Sequence, residues 1–382
     1  MEPVTLRVAE ARELLSLLPH RLGFAPEESA VVVSLRPPRG EVGLVARVDL
    51  AGLGRPEEGG RLARTLVGHL GRDGAAHALL VLYVPEDPRT HRRPDVVAAV
   101  AVLRGAAEPV LGEVPCWVVA GTGYLSLDCT DPACCPPGGR PLRELESTQV
   151  GATMVVAGSV VLASRDEVGV VRPAPGEARR ATARARRRAE DRRAAALAAP
   201  GTAAHAVWRS DTLAAWRRLV DATEAGRTPA PPDLGRVEAG LTDATVRDAV
   251  LVTFVPGTGD LAERTLAPAG PARDRGEDDE LGRALSALVD PVAGVRPPGA
   301  AAALVRALEA VVAHGRRGAQ APARTLLALL AWWHGDGVRA AAHVDAALAD
   351  DPAHGLALLL RDVGEAGLPP GWARRERSAR VP

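Results

Sequence analysis

The sequence contains no lysine, no isoleucine and no asparagine. Without lysine the chain has no Walker A lysine for a nucleotide phosphate, no lysine for a cofactor Schiff base and no kinase-type lysine clamp. All 47 basic residues are therefore arginine, and they balance 47 acidic residues. Because the net charge is zero, charge alone does not direct the whole chain to nucleic acid or to an anionic membrane.

Common catalytic motifs are also missing from the sequence. We find no G-x-S-x-G elbow, no H-E-x-x-H helix, no G-x-G-x-x-G turn and no calcium-loop spacing of acids. The nine histidines are scattered and none has a local partner motif. The sequence therefore favours a non-enzymatic function.

The sequence leads us to expect neither an export signal nor a membrane-spanning segment. Its start, M-E-P-V-T-L-R, has no basic region followed by an apolar one. The longest nearly apolar run, Gly151 to Ala163, is shorter than the roughly 20 residues that cross a bilayer. We therefore expect a soluble cytoplasmic protein with no membrane partner, in which cysteines are thiols or metal ligands rather than a disulfide framework.

Short apolar runs in the first 172 residues alternate between strand spacing and helix spacing. The predicted helices are Val8 to Leu18, Leu62 to Leu70 and Val96 to Leu103, and the predicted strands are Ala30 to Leu35, Val42 to Leu50, Ala78 to Val84 and Val114 to Val119. A turn at Pro37 to Gly40 joins the first two strands into a hairpin. This alternation predicts an α/β domain, residues 1–172, with a mixed sheet and flanking helices. A cysteine-rich loop is expected to follow its last predicted strand directly.

After Val171 the pattern changes to helices separated by proline-rich joints. The joints are Thr228 to Asp233, Pro268 to Glu280 and Arg296 to Gly299. The segment from Ala267 to Glu280 combines proline, glycine and dense charge without apolar periodicity, which is typical of a mobile or disordered insert. We therefore predict an all-α domain, residues 173–382, with a flexible insert near 267–280.

The segment Gly335 to Pro352 is similar to the second half of a tetratricopeptide repeat. Small residues at Ala340 and Ala347 allow two helices to approach closely, and the preceding run Thr325 to Trp333 has the apolar spacing of the first half. A solenoid needs about three repeats to bury a stable core. We therefore predict a single repeat-like helix pair within the helical domain.

All four cysteines lie in one short stretch, and three of them lie in the run D-C-T-D-P-A-C-C-P-P-G-G, residues 128–139, here called the cysteine loop. Three interpretations of this loop stay open. Zinc prefers four tetrahedral ligands, which cysteines can supply. Two thiols can form a reversible disulfide. Alternatively, the cysteines are small buried residues in a rigid loop.

The two candidate residue sets of the loop overlap. The candidate binding residues are Asp128, Cys129, Asp131, Cys134 and Cys135. The candidate zinc ligands are Cys116, Cys129, Cys134 and Cys135. A Cys-x4-Cys-Cys spacing is not a regular two-residue zinc knuckle, and no histidine lies nearby in sequence. The sequence predicts no other cofactor.

An arginine-rich run, Arg179 to Arg193, supplies a second candidate surface. The candidate basic stripe consists of Arg180, Arg184, Arg188 and Arg192. A spacing of four residues places these arginines on one side of a helix, where they could follow phosphates. Acidic residues interrupt the run and no aromatic residue is available for base stacking, so a solvated helix is favoured over a nucleic-acid partner.

Several motifs together resemble an uncharacterised bacterial family, domain of unknown function 4192. The motifs are L-G-F-A-P-E-E-S-A-V-V-V from Leu22, A-R-V-D-L from Ala46, the cysteine loop, S-R-D-E from Ser164, V-R-D-A-V-L from Val246 and the W-W-H-G-D-G…D-P ending from Trp332. They span most of the chain, and the cysteine loop is the most specific. The resemblance implies an architecture and carries no established activity.

Two functional hypotheses follow from these patterns. The first is a non-catalytic module that binds a protein partner through its helical domain while its α/β domain binds a small ligand or stabilises the assembly. The second is a thiol- or metal-dependent enzyme or sensor centred on Cys129, Cys134 and Cys135. We favour the first hypothesis, because a repeat-like helix pair is present and catalytic motifs are missing from the sequence.

Overall fold

The computed structural model describes residues 10–199, 203–266, 275–290, 292, 294–299 and 301–378. The chain divides into two compact units, one that ends at Val168 and one that begins at Gly169. We call them the sheet unit and the helical unit. The domain bounds 1–172 and 173–382 stay a prediction.

The sheet unit is built on a mixed sheet, as predicted. Its strands are β1 Ser29–Arg36, β2 Glu41–Asp49, β3 His77–Val84, β4 Cys116–Ala120 and β5 Tyr124–Ser126. Among the described residues they form one five-stranded sheet in the order β2-β1-β3-β4-β5. Strands β3 and β4 are parallel, and the other neighbouring strands are antiparallel.

The predicted hairpin between the first two strands is confirmed. Ser29 lies opposite Asp49 at one end of the β1–β2 pair, and Arg36 lies opposite Glu41 at the other. The connecting turn occupies residues 37–40, as its Pro-Pro-Arg-Gly sequence predicts. The register shifts between Val33 and Leu35, which marks a bulge or irregularity in the pairing.

Helices cover this sheet and supply the rest of its core. They are α1 Ala11–Leu22, α2 Leu50–Leu53, α3 Pro56–Arg72, α4 Pro94–Leu111, α5 Arg143–Glu146 and α6 Gln149–Val156, with a 3-10 turn at Arg165–Glu167. Both α3 and α4 begin with proline, which has no N–H to lose at a helix start. Leu80 and Leu82 of β3 pack with Ala99 and Leu103 of α4 in one buried cluster.

Two expectations for the sheet unit differ from the structure. The first helix ends at Leu22 rather than Leu18, with Gly23 in the left-handed conformation after it, and Val8 lies outside the described residues. The cysteine loop does not follow β4 directly, because the chain reverses at residues 121–123 and adds β5. A strand of three residues, Tyr124–Ser126, is too short to show a periodic pattern in sequence.

The helical unit is all-α across its described residues, as predicted. Its helices are α7 Gly176–Ala198, α8 Ala203–Glu224, α9 Pro231–Gly240, α10 Ala244–Val252, α11 Leu261–Thr265, α12 Arg275–Val289, α13 Ala301–His314, α14 Ala321–Trp333, α15 Gly337–Asp350, α16 Gly355–Glu365 and α17 Gly371–Ser378. Of the predicted insert, residues 267–274 lie outside the described residues. Its last part is helical, because α12 begins at Arg275.

Four tryptophans belong to the core of the helical unit. Trp208, Trp216, Trp332 and Trp333 are all buried. The Trp333 Nε1 donates to the Val295 carbonyl at 2.8 Å, and the Trp332 Nε1 donates to the Leu368 carbonyl at 2.8 Å. These bonds satisfy the indole N–H groups inside an apolar core. Within the described residues, no helix has both the length and the apolar character needed to cross a membrane.

Candidate functional site

The cysteine loop leaves β5 and returns to the same strand. At its base, Tyr124 and Arg140 exchange two backbone hydrogen bonds of 2.9 and 2.8 Å. Gly139 makes this return possible, because its φ is +84° and an added Cβ would lie 2.8 Å from the Tyr124 nitrogen. The loop is therefore closed at its base by the edge of the sheet.

Turns inside the loop bring distant cysteines together. The Asp131 carboxylate accepts from the Ala133 N–H at 2.9 Å, and the Asp131 carbonyl accepts from the Cys135 N–H at 2.8 Å. These two bonds fold the Asp-Pro-Ala-Cys segment into a compact turn. As a result, Cys134 and Cys135 are carried back toward Cys129.

The three thiols of the loop form a cluster, here called the sulfur cluster. The Sγ atoms of Cys129, Cys134 and Cys135 all lie within 4.8 Å of one another. The Cys134 and Cys135 sulfurs are 4.0 Å apart. Cys135 is buried, Cys129 is half-buried and Cys134 is exposed. The cluster thus has a buried side and a side open to solvent.

A buried ion pair holds the loop over the sheet. Asp87 follows β3 with its side chain 2% exposed, and one of its oxygens accepts from Arg89 Nη2 at 2.9 Å. That carboxylate also accepts from the Gly138 N–H at 3.2 Å. Arg89 in turn donates to the carbonyls of Cys129, Cys135 and Pro136, at 3.5, 3.3 and 2.9 Å. A single guanidinium therefore fixes the backbone at two of the three cysteines.

A second ion pair anchors the start of the loop. Arg104 of α4 binds both carboxylate oxygens of Asp128, with one N–O distance of 2.9 Å. The Cys116 N–H donates to the same carboxylate at 3.4 Å. Arg104 holds the pKa of Asp128 below its ordinary value. Asp128 is thus an anchor of the loop, and its carboxylate is directed to Arg104.

Cys116, the fourth predicted zinc ligand, has a different environment. It lies in β4 with no exposed surface and is part of the apolar core. Its Sγ contacts the Trp117 carbonyl at 3.8 Å. The structure does not place its sulfur in the cluster of Cys129, Cys134 and Cys135. Three of the four candidate ligands are therefore brought together.

Comparison with known proteins shows the family of the chain. The family described as Domain of unknown function (DUF4192) matches residues 12–371. The chain belongs to this family. No curated protein and no solved structure matches the chain. The family match extends over both units, and its description assigns no activity to the cysteine loop.

The thiols of this family member differ in acidity. Hydrogen bonding to the Asp131 backbone, with a contribution from Cys135, lowers the pKa of Cys129. Cys135 and Cys129 raise the pKa of Cys134. Burial raises the pKa of Cys116 to about 12. Because a thiolate is the form that binds a metal, Cys116 is the least suited of these three to act as a ligand.

The predicted basic stripe lies along α7 in the helical unit. Arg180, Arg184, Arg188 and Arg192 are all exposed. Among the described residues, no carboxylate forms an ion pair with any of the four. Exposed Glu177 and Asp191 lie on the same helix. The helix therefore carries solvated positive charge interrupted by acids, and nothing in its geometry selects a partner.

Sequence reasoning missed Asp87, Arg89 and Arg104 as residues of the site. Asp87 and Arg89 lie about forty positions before the loop, in the E-D-P-R segment after a buried strand. A signal was available, because these polar residues directly follow a strand. Strands β3 and β4 are parallel, so their carboxyl ends, and the residues that follow them, lie at the same edge of the sheet. Arg104 offers no such signal, since it lies within a helix.

Proposed function

We propose that the protein is a non-catalytic binding module whose cysteine loop holds one thiophilic metal ion, with zinc as the best fit. The sulfur cluster supports this proposal. Zn–S bonds of about 2.3 Å in tetrahedral geometry place neighbouring sulfurs about 3.8 Å apart. The 4.0 Å between the Cys134 and Cys135 sulfurs is close to that spacing. All three sulfurs lie within 4.8 Å of one another, a grouping that suits a shared ion.

The surroundings of Cys129 favour its thiolate, because hydrogen bonding to the Asp131 backbone lowers its pKa. Arg89 is bonded to the Cys129 and Cys135 carbonyls and interacts electrostatically with both thiols. The Ser126 N–H also donates to the Cys135 sulfur at 3.4 Å. Donors and positive charge of this kind stabilise the deprotonated ligand and hold it in position. The buried Asp87 keeps Arg89 itself in place.

Elemental analysis combined with thiol titration tests this proposal. The full-length protein is purified without chelators in a phosphine reductant, and bound metal is measured per chain. We expect about one zinc and three protected thiols per chain. Cys129→Ser, Cys134→Ser and Cys135→Ser variants should each lose the metal, whereas the control Cys116→Ala should retain it. A folded wild-type protein that binds no added zinc and shows four free thiols rules the metal site out.

The accessibility of the cluster supports a second candidate function, a reversible disulfide. Cys134 is exposed and Cys129 is half-buried in the same cluster. A peroxide would accept two electrons and two protons from these thiols, forming one S–S bond and two water molecules. Peptide mapping after limited peroxide treatment tests this candidate in the Cys135→Ala variant. Recovery of a Cys129–Cys134 disulfide that a dithiol reverses supports it, and sulfinic or sulfonic acid as the first product refutes it.

A partner-binding role for the helical unit is part of the proposal. Helices α14 and α15 pack together, with Ala340 and Ala347 buried between neighbours, which is what supports a tetratricopeptide-like pair. Leu359 of the next helix, α16, is 57% exposed. A Leu359→Glu variant should lose a partner recovered with the wild-type protein, and the control Leu197→Glu, on α7, should keep it.

The bacterial origin and the cytoplasmic location predicted from the sequence also belong to this proposal.

A further inference from the structure

The sulfur cluster supplies one ligand fewer than a tetrahedral ion accepts. Among the cysteine, histidine, aspartate and glutamate side chains of the described residues, the three cysteines of this loop form a close group of three. Cys116 lies outside the cluster, buried in the apolar core. The cluster is open to solvent on the side of Cys134, which is exposed.

Side chains near the cluster are already engaged elsewhere. The Asp128 carboxylate is bound at both oxygens by Arg104. The Asp131 carboxylate accepts from the Ala133 N–H within its own turn. The His91 ring lies 3.1 Å from the Thr90 hydroxyl and 3.8 Å from the Glu86 carboxylate. Among the described residues, none of these three side chains belongs to the close group of ligand atoms that the cysteines form.

Charge determines which external ligand suits the open position. Three thiolates and one Zn²⁺ carry a net charge of −1, and sulfur donation reduces the ability of the ion to acidify water. Hydrolysis is therefore disfavoured, and a soft donor is favoured. Arg89 contacts the loop backbone, and Arg140, whose pKa is raised chiefly by Tyr124 and Glu144, also interacts electrostatically with Cys134. Arg89 also pairs with Asp87 and Arg140 with Glu144, and both remain in electrostatic contact with loop thiols, so they supply the positive charge that an anionic fourth ligand would meet.

We propose that the ion held by Cys129, Cys134 and Cys135 binds a small exogenous thiol, as its thiolate, at the fourth coordination position. The thiol loses its proton to solvent, and one sulfur–metal bond forms without any change of oxidation state. This inference rests on the proposed metal site and makes the loop a receptor for low-molecular-weight thiols.

Cobalt(II) substitution in the full-length protein tests the inference. Thiolate-to-cobalt charge-transfer absorption reports metal binding, and the visible ligand-field bands report the fourth ligand. The protein is loaded in a phosphine reductant and then titrated with 2-mercaptoethanol. We expect the visible bands to shift saturably and the charge-transfer intensity to grow by about one third, as three thiolate ligands become four. Cobalt should stay with the protein during gel filtration.

Matched arginine variants show whether the local charge matters. Arg140→Gln should weaken thiol binding several-fold while cobalt still binds. Arg143→Gln removes an exposed arginine three positions along the chain. It should leave both cobalt binding and thiol binding unchanged. If Arg140→Gln and Arg143→Gln bind the thiol equally well, the proposed charge balance is wrong.

The outcomes separate the two proposals. Absence of the charge-transfer band refutes the metal site and this inference together. A band that appears and does not respond to the thiol overturns this inference alone, because the chain then fills the fourth position. Loss of cobalt on addition of the thiol also overturns it, since the thiol is then a competing chelator. A spectrum of Asp131→Asn that already differs before thiol addition identifies Asp131 as the fourth ligand and overturns it as well.

Discussion

Arg89 is the residue on which the geometry of the cysteine loop most depends. Its guanidinium binds Asp87 on one side and three loop carbonyls on the other. Loss of these bonds would leave Asp87, whose side chain is 2% exposed, as a buried carboxylate without its cation. The residue therefore combines two roles, because it orders the loop and neutralises a buried charge.

Replacing Arg89 with methionine should weaken metal binding without removing a ligand. Residues that hold metal ligands in place typically contribute a factor of about 10 to 100 in metal affinity. We expect a loss of that size for Arg89→Met in a competitive zinc titration. The control Arg92→Met changes an exposed arginine three residues away and should bind zinc like the wild type. Equal zinc affinity in the two variants would falsify the positioning role.

The sequence singled out the three cysteines of the loop, and it did not reveal the residues that hold the loop in place. Three cysteines adjoin in one turn-rich run, so local chemistry was enough to single them out. The roles of Asp87, Arg89 and Arg104 arise from strand order and from loop closure, which no short motif encodes. Cys116 was assigned to the ligand set because it is close in sequence, yet β4 directs it into the core. The positions of Asp87, Arg89 and Cys116 relative to the loop therefore depend on which strands pair in the sheet.

His343 gives the helical unit a dependence on pH. The side chain is 1% exposed, and burial followed by the charges of Arg324 and Arg339 lowers its pKa from 6.5 to about 4. The folded protein therefore binds fewer protons than the unfolded chain between those two pH values. Stability contributed by neutral His343 is present above pH 6.5 and is lost as the pH falls toward about 4.

Replacing His343 with leucine should reduce this pH dependence. The full shift corresponds to about 3 kcal/mol of unfolding free energy between neutral and low pH. We expect urea unfolding of the wild-type protein to show a larger loss of stability than His343→Leu when the pH is lowered from 7 to 5. Parallel stability profiles for both proteins would show that another group controls the response.

At the scale of elements, α7 and α9 pack with their backbones in close contact. A Cβ on Gly235 of α9 would lie 2.5 Å from the Thr182 carbonyl oxygen and 2.5 Å from the Arg186 nitrogen, both backbone atoms of α7. Backbone atoms cannot rotate away as side chains do. The contact therefore requires glycine despite its low helix propensity.

Gly235→Ala should destabilise the helical unit. Overpacking at a close contact costs about 1 to 3 kcal/mol, which exceeds the gain in helix propensity. The matched control is Gly282→Ala on α12, where an added Cβ meets no atom within 4 Å. We expect that control to be neutral or stabilising by up to about 1 kcal/mol. Urea unfolding followed by circular dichroism gives both values, and equal stability of the variants contradicts the close crossing.

Long periodic elements were predictable, and short or context-dependent ones were not. The apolar spacing in β3 and α4 was sufficient to place both. β5 has three residues and exists because it pairs with β4. Likewise, the charged start of α12 was interpreted as a loop, although residues 275–280 are helical. Tertiary pairing overrides local pattern in such segments.

At the scale of the whole molecule, the proposed metal would act on one unit. A ligand at 100 times its dissociation constant stabilises the folded state by about 2.7 kcal/mol. Zinc should therefore slow hydrogen exchange in the cysteine loop and in β4 and β5, with peptides of α14 and α15 as an internal reference. Cys134→Ser should show no zinc-dependent protection. Equal protection of the helical peptides would place the metal outside the loop.

The β4–β5 pair gives the sheet unit its own optical reporter. Trp117 of β4 is the one tryptophan among residues 1–168, and both tyrosines of the chain, Tyr83 and Tyr124, also lie there. Trp117 lies opposite Ser126, whose N–H donates to the Cys135 sulfur. The Tyr124 and Trp117 rings are 6.4 Å apart, close enough for excitation energy to pass from tyrosine to indole. Events at the sulfur cluster are thereby linked to the fluorescence of a single residue.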